Sequence, residues 1–397
     1  MKSPQLLVFD SHPVQYRVPV WQALEALHPG CVHVVYASDC SVRGFEDKGF
    51  GCTVAWDEPM LSGYSYTILN SEKGTPLSGW GSLSGEGVSE IIKRLKPAAI
   101  LLTGFNYRFD LVAYMQAIYK GIPVWMRCET QDQASSRSKT KSLLRSLVYR
   151  TAYISLDKTF YIGELNKYHY LKHGISLKKL RPARYGTVDR FSGLTNTEKE
   201  QIRNLARAQA GVAPSAFVIG FSGKFIAKKN PDILFEMLRY LPDKMRRNIH
   251  LYFMGSGAME IDLQCLAEGA CEQLGVKSHF AGFVNQSQLT SHYLSMDLLV
   301  LPSRRQGETW GLVANEALQA GCGVIVSNAV GCSADFAGWE RFRVFKEGSA
   351  MELAACVSEL VAYPREYGWA LQKLTDYSID ATAYALLQEL KSLCQPA

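Results

Sequence analysis

Short, uniformly apolar runs alternate with longer amphipathic stretches along the whole 397-residue chain. Leu6–Phe9, Val32–Tyr36, Ala98–Leu102, Val124–Met126 and Thr159–Ile162 have the length and branching of strands buried on both faces. The segments between them are helical in period. The pattern restarts with Phe217–Phe221, His250–Met254, Leu298–Leu301 and Val324–Val326, spaced by helical stretches such as Ile233–Leu241 and Glu316–Ala320. Strands that alternate with helices imply βαβ crossovers and parallel sheets. The periodicity breaks between residues 190 and 215, where FSGLTNTEKE and GVAPSA intervene. This predicts two doubly wound α/β domains, 1–190 and 191–375, facing each other across a cleft. A last helix within 376–397 is expected to pack back towards the first domain.

In open parallel sheets, ligands bind beyond the carboxyl ends of the strands, and helix N-termini there attract phosphate. Polar clusters that follow a strand therefore carry the chemistry. The most informative is Pro302-Ser-Arg-Arg-Gln-Gly-Glu308-Thr309-Trp310-Gly311-Leu312-Val-Ala-Asn-Glu316-Ala-Leu-Gln-Ala-Gly321. It leaves the strand LLVL, loops through Gly307 and enters a helix after Gly311. Glu308 reaches the mouth of the cleft and Glu316 lies deeper. A carboxylate accepts paired hydrogen bonds from vicinal hydroxyls, the pattern that a ribose or hexose presents. Two surface carboxylates that merely share a helix would give the same spacing.

Gly223, Lys224 and Lys229 follow the first strand of the second domain and lead into PDILFEMLRY. Two ammonium groups and a helix N-terminus can neutralise a diphosphate leaving group without a metal. No Asp-x-Asp occurs in the chain, and no metal site is expected. The alternative is a solvated basic loop. Strand ends of the first domain supply Asp10-Ser-His12-Pro-Val-Gln15-Tyr-Arg17, Thr103-Gly-Phe-Asn106-Tyr-Arg108 and Arg127-Cys-Glu129-Thr130. His12 could equally cap or pack beside Pro13.

Net charge changes the picture of the first domain. Residues 1–190 hold 24 Lys and Arg against 16 Asp and Glu, whereas the remainder holds 19 against 21. A positive first half suits an anionic membrane or a phosphorylated substrate, and no helix-turn-helix or RNA-binding signature favours nucleic acid. The excess is dense in Arg137–Arg150, which has five basic residues and no acids. On a helix, Leu143, Leu147, Leu144 and Val148 form one arc flanked by Lys139, Lys141 and Arg145. Such a face suits anionic lipid, or else packs on its own sheet.

Mean hydropathy is −0.07, and no apolar run is long enough to span a bilayer. The N-terminus meets Asp10 after five apolar residues, short of a signal peptide, so a cytoplasmic protein is expected, with peripheral contact to the inner membrane face. The ten cysteines contain no Cys-x-x-Cys pair and read as buried free thiols, as suits a reducing compartment.

The run Glu308-x7-Glu316, with Gly311-Leu312 inside it and Ala317-x3-Gly321 after it, resembles the signature of family 4 retaining GT-B glycosyltransferases, the glycosyl transferases group 1. Phe221-Ser-Gly-Lys-Phe-Ile-Ala-Lys-Lys-Asn-Pro231 is similar to the diphosphate-binding stretch of that family, with Lys224 where Arg is usual. Phe253-Met-Gly255-Ser-Gly257 resembles its second glycine turn. His279-Phe-Ala-Gly-Phe283-Val284 resembles its nucleobase loop, and Tyr185-Gly-Thr-Val-Asp189 its linker.

The resemblance implies a GT-B fold and transfer of a sugar, with retained configuration and no metal, from a UDP- or GDP-linked donor. The acceptor would be a saccharide or lipid-linked, as in bacterial cell-surface polysaccharide synthesis. It implies no cofactor besides the nucleotide-sugar co-substrate. Glu308 would bind the donor sugar, Glu316 the ribose, and Lys224 and Lys229 the diphosphate, with Gly223, Gly255, Phe283, Val284, Thr309, Trp310, Gly311 and Leu312 lining the donor. His12, Gln15, Asn106, Arg127 and Glu129 would face sugar and acceptor. A GT-B epimerase or hydrolase, or a catalytically silent GT-B subunit, remain as alternatives.

Overall fold

In the computed structural model, described residues run from 5 to 393, apart from 48, 50, 55, 71–76 and 78. The first sheet is formed by β1 (Leu6–Asp10), β2 (Val32–Tyr36), β5 (Ser65–Ile68), β6 (Ala99–Leu102), β7 (Val124–Met126), β8 (Lys158–Tyr161) and β9 (Leu180–Pro182). Its order is β5-β2-β1-β6-β7-β8-β9, with every pairing parallel. Between β2 and β5 lies an antiparallel hairpin of β3 (Phe45–Asp47) and β4 (Cys52–Val54). The second sheet holds β10 (Phe217–Ser222), β11 (Ile249–Met254), β12 (Lys277–Phe280), β13 (Leu298–Leu301), β14 (Gly323–Ser327) and β15 (Phe342–Phe345). Its order is β12-β11-β10-β13-β14-β15, again parallel throughout.

Each sheet reverses its direction of growth once, at β1/β6 and at β10/β13, and the crevices at those switch points open into one cleft. The strands read from sequence are those buried on both faces. Those it did not show are edge strands or short ones: β5, β9, β12, β15 and the hairpin. β12 (KSHF) and β5 (SYTI) are partly exposed along their length, so no continuous apolar run marks them.

After β9 the chain crosses the cleft through residues 183–191. There Asn315 Nδ2 donates to the Tyr185 carbonyl (3.1 Å), and Gln319 Nε2 to that of Thr187 (3.1 Å). The helix Ile379–Ser392 returns to the first sheet. Its Leu386, Leu387 and Leu390 are buried among Leu6, Val8, Trp21 and Leu24. Lys158 and Arg181 both pair with Glu389 at its outer edge.

None of the eight described cysteines that are free is in a disulfide, but burial is uneven. Cys31, Cys128, Cys322 and Cys332 are buried, whereas Cys265 and Cys271 are exposed on the helix Glu260–Leu274, correcting the expectation for those two. Cys394 and the side chain of Cys52 lie outside the described residues. No helix among the described residues is long and apolar enough to cross a membrane.

Candidate active site

A cavity of about 170 Å³ lies between the domains, lined by Gln15, Tyr16 and Trp56 from the first and by Gly223, Gly255, Phe283, Val284, Leu312 and Glu316 from the second. Its floor depends on glycine. The loops after β10 and β11 touch so closely that a Cβ on Gly255 would lie 1.9 Å from the Gly223 carbonyl oxygen. Both residues have φ of 143°, a region L side chains rarely adopt. Gly223 N donates to Met254 O (2.9 Å) and Phe225 N to Ser256 O (2.8 Å), locking the two turns together.

Glu316 is carried into this cavity by the helix Leu312–Gln319, which starts at Gly311 in the left-handed conformation. Tyr293 Oη donates to Glu316 and shares a 3.1 Å contact with Ser222 Oγ. Burial pushes the Glu316 carboxyl up to about 7, against weaker opposing effects of Tyr293 and Arg190.

Glu308 sits on the loop that precedes this helix. Arg304 Nε and Nη2 donate to Asn230 Oδ1 (2.9 and 2.6 Å), and Arg304 N donates to Lys228 O (2.7 Å). These bonds bring the loops after β10 and β13 side by side, so that Lys229 pairs with Glu308. Ser303 Oγ donates to the same carboxylate (2.9 Å). Burial disfavours ionising Glu308, but Lys229 and Ser303 outweigh it and hold the pKa below the usual carboxylate value. Lys224 follows Gly223 on the same loop, one residue from the Gly223–Gly255 contact.

Phe283, Ser287 and Arg190 meet a segment of the first domain that the sequence did not single out. Trp56 and Phe283 rings lie 6.4 Å apart, Arg190 Nη1 pairs with Glu58 at 2.6 Å, and Ser287 donates to Asp57. These contacts join residues more than a hundred positions apart, which no local motif signals.

On the facing wall, Arg17 pairs with both Asp10 and Glu129 at 2.7 Å. Tyr16 Oη also donates to Glu129 (3.0 Å), as does Tyr185 Oη. Burial opposes the Glu129 charge, yet Arg17 and the tyrosines keep its carboxyl low, while Asp10 helps hold Arg17 protonated. Glu129 Oε1 is thus committed to this network, and Oε2 faces the Thr309 hydroxyl across the cleft at 3.5 Å. The organising member is Arg17, which the sequence placed in a strand-end cluster without a role.

His12 lies on this wall with Ser11 Oγ 2.9 Å from its Nδ1, and burial lowers its pKa. Asn106 is exposed and lines a separate cavity with Lys141, Leu144, Arg145 and Val148.

Three expectations are corrected. Trp310 does not line the interdomain cavity, where a donor-lining role was expected of it. Its ring is buried against Tyr185, Phe336 and Tyr377, its Nε1 donates to Asn315 (2.8 Å), and a Cβ on Gly163 would lie 2.2 Å from it. Arg127 is buried under the Tyr185 ring with Nε donating to Ala183 O (3.1 Å), so it supports the wall rather than facing the cleft. Arg145 is paired with Asp132 at 2.6 Å and lies over Tyr149, so it is not a free surface cation. The apolar arc of the helix Lys139–Tyr153 does not pack on the sheet: Leu143, Leu144, Leu147 and Val148 are 57–66% exposed.

Residues 202–368 match the family of glycosyl transferases group 1. An uncharacterized glycosyltransferase of Methanocaldococcus jannaschii is 37% identical over 128 residues, 32% of this chain and 30% of that protein. A D-inositol 3-phosphate glycosyltransferase of Arthrobacter sp. is 32% identical over 136 residues, 33% of this chain and 31% of the relative. The match therefore spans less than a third of the length of these curated relatives. Anabaena HepE in complex with UDP and glucose superposes with a TM-score of 0.66 at 14% identity, over 98% of this chain and 100% of that one. The family match thus lies within the second domain, and the chain as a whole has the GT-B fold.

Proposed function

We propose that the protein is a retaining glycosyltransferase that moves a sugar from a UDP- or GDP-linked donor to a saccharide or lipid-linked acceptor, in cell-surface polysaccharide synthesis. The observation that carries this reading is that Glu316 and the Gly223–Gly255 turns line one interdomain cavity, with the Lys229–Glu308 pair on the adjoining loops after β10 and β13. The likeness to a UDP-complexed GT-B protein supports the same placement of the nucleotide.

In this reading the Glu316 carboxylate accepts the ribose hydroxyls, and the rings of Trp56 and Phe283 flank the base. Bare backbone at Gly223 and Gly255 lets the diphosphate approach, and Lys224 and Lys229 neutralise the charge that grows on it as the glycosidic bond breaks. Glu308, held ionised by Lys229, accepts hydroxyls of the departing sugar. The acceptor hydroxyl attacks from the face the diphosphate leaves, and a phosphate oxygen takes its proton. No protein nucleophile and no metal at the diphosphate are needed.

The cavity beside Asn106, with its apolar Phe105, Leu144 and Val148 and its cationic Lys141, favours an acceptor with both apolar and anionic parts. The exposed leucines of the helix Lys139–Tyr153, flanked by exposed Lys139, Lys141 and Arg150, favour seating on an anionic membrane.

The test is turnover: purified protein with a panel of UDP- and GDP-sugars and detergent-solubilised saccharide-lipid acceptors, with product anomers assigned by NMR. The proposal expects acceptor-dependent release of nucleoside diphosphate with retained configuration. Epimerised or hydrolysed donor without acceptor would favour the rival GT-B chemistry.

A further inference from the structure

Behind the helix Lys139–Tyr153, three side chains converge that the transferase reading does not use. His169 and His173 stand four residues apart at the end of the helix Glu164–Lys172, so both rings face one side, towards Asp132 on the loop after β7. His169 Nδ1 lies 3.0 Å from Asp132 Oδ1, and His173 Nε2 lies 3.1 Å from Oδ2. One donor atom from each of the three residues falls within 4.8 Å of the others, with both histidines buried.

We propose that Asp132, His169 and His173 bind a divalent transition-metal ion of the zinc class. Two imidazoles and a carboxylate are the donor set such an ion takes, with a water as fourth ligand. The nitrogen of each ring that faces away from the site has its own partner. His169 Nε2 lies 2.9 Å from Tyr153 Oη, and His173 Nδ1 lies 3.2 Å from Ser146 Oγ. Those outer contacts hold the ring orientation, as the second layer of a metal site does.

Binding conserves protons if each imidazole moves its proton to the outer nitrogen, towards Tyr153 or Ser146. Lys172, half-exposed, pairs with Asp132 Oδ2 at 2.9 Å and would swing into solvent. Arg145 holds Oδ1 and would remain, weakening but not blocking the ion.

The ion would act as a clamp. Gly307 N donates to Ala134 O (2.7 Å) and Arg305 Nη1 to Gln133 O (2.7 Å), so the Asp132 loop supports the loop that carries Glu308. The inference does not depend on the transferase reading.

The experiment is equilibrium dialysis of chelator-stripped full chain against Zn²⁺, with metal counted by mass spectrometry, and Co²⁺ as a spectroscopic substitute. Wild type should retain about one equivalent and show tetrahedral cobalt bands without a thiolate charge-transfer band, which excludes Cys265 and Cys271. The His169→Gln/His173→Gln protein should lose that equivalent. Asp132→Asn, nearly isosteric, serves if the double variant does not fold, and should weaken binding roughly tenfold or more. No retained equivalent in wild type, a thiolate band, or unchanged affinity in the folded variants would overturn the assignment.

Discussion

Replacing Glu316 by Gln separates the cost of a buried carboxyl from its use. The group sits at about 7 in the folded protein against 4.5 for an ordinary Glu. Below the lower value it is neutral whether the chain is folded or not. As pH rises through that window, the unfolded chain releases the proton first, so folding loses stability until the folded carboxyl also ionises. At 1.36 kcal/mol per tenfold, the full effect is at most about 3 kcal/mol. Glu316 lines an open cavity, and residual water contact reduces the expected gain from Gln to about 1–2 kcal/mol at pH 8. Denaturant unfolding at pH 8 should therefore find Glu316→Gln more stable than wild type by that amount, and the difference should vanish near pH 4. Nucleotide affinity should move the opposite way. Losing a charge-assisted acceptor for the ribose costs about 1–3 kcal/mol, roughly 5- to 150-fold in Kd for UDP or GDP by calorimetry. The wild type should gain affinity relative to the variant between pH 6 and 8, as the carboxyl ionises. A variant with unchanged affinity and no gain in stability would refute both halves of the reasoning.

Lys229→Ala should lower turnover by about 10²–10³-fold, with a smaller change in donor KM, because its charge matters most as the diphosphate departs; an equal loss in substrate binding alone would assign it to ground-state contact. In the His169→Gln/His173→Gln protein, turnover with EDTA should equal that with added Mg²⁺ or Mn²⁺; a metal requirement there would move the diphosphate charge from Lys224 and Lys229 to an ion. Changing Lys139, Lys141 and Arg150 together to Ser should weaken binding to anionic vesicles by about 3 kcal/mol at low salt. Leu143→Asp should weaken it too while leaving the melting temperature unchanged, since Leu143 is 66% exposed; unaltered vesicle binding in both would remove the membrane from the account.

What was legible in the sequence, and what was not, follows from where each signal resides. Central strands such as Leu6–Asp10 and Ile249–Met254 are buried at every position and announce themselves as apolar runs. The edge strand Lys277–Phe280 faces solvent along one side and leaves no such mark. Glu308, Glu316 and the Gly223 and Gly255 turns are local in sequence, each tied to the end of one strand, and could be found together. The Asp10–Arg17–Glu129 network joins partners 112 positions apart, and only the sheet order β1-β6-β7 brings them near. Trp310 misled because a motif fixes the backbone of a loop but not the direction of each side chain. Its ring goes to the domain junction, where Gly163 leaves room for it.

The central claim is that a nucleotide sugar lies between the glycine turns and the Glu308–Glu316 segment. Hydrogen–deuterium exchange of the full chain, with and without saturating UDP or GDP, tests it most directly. Protection should concentrate in residues 222–230, 254–259, 283–287 and 308–316, with the first sheet's outer helices unchanged. Saturating nucleotide that protects none of these segments, or protects only residues outside the cleft, would contradict the account.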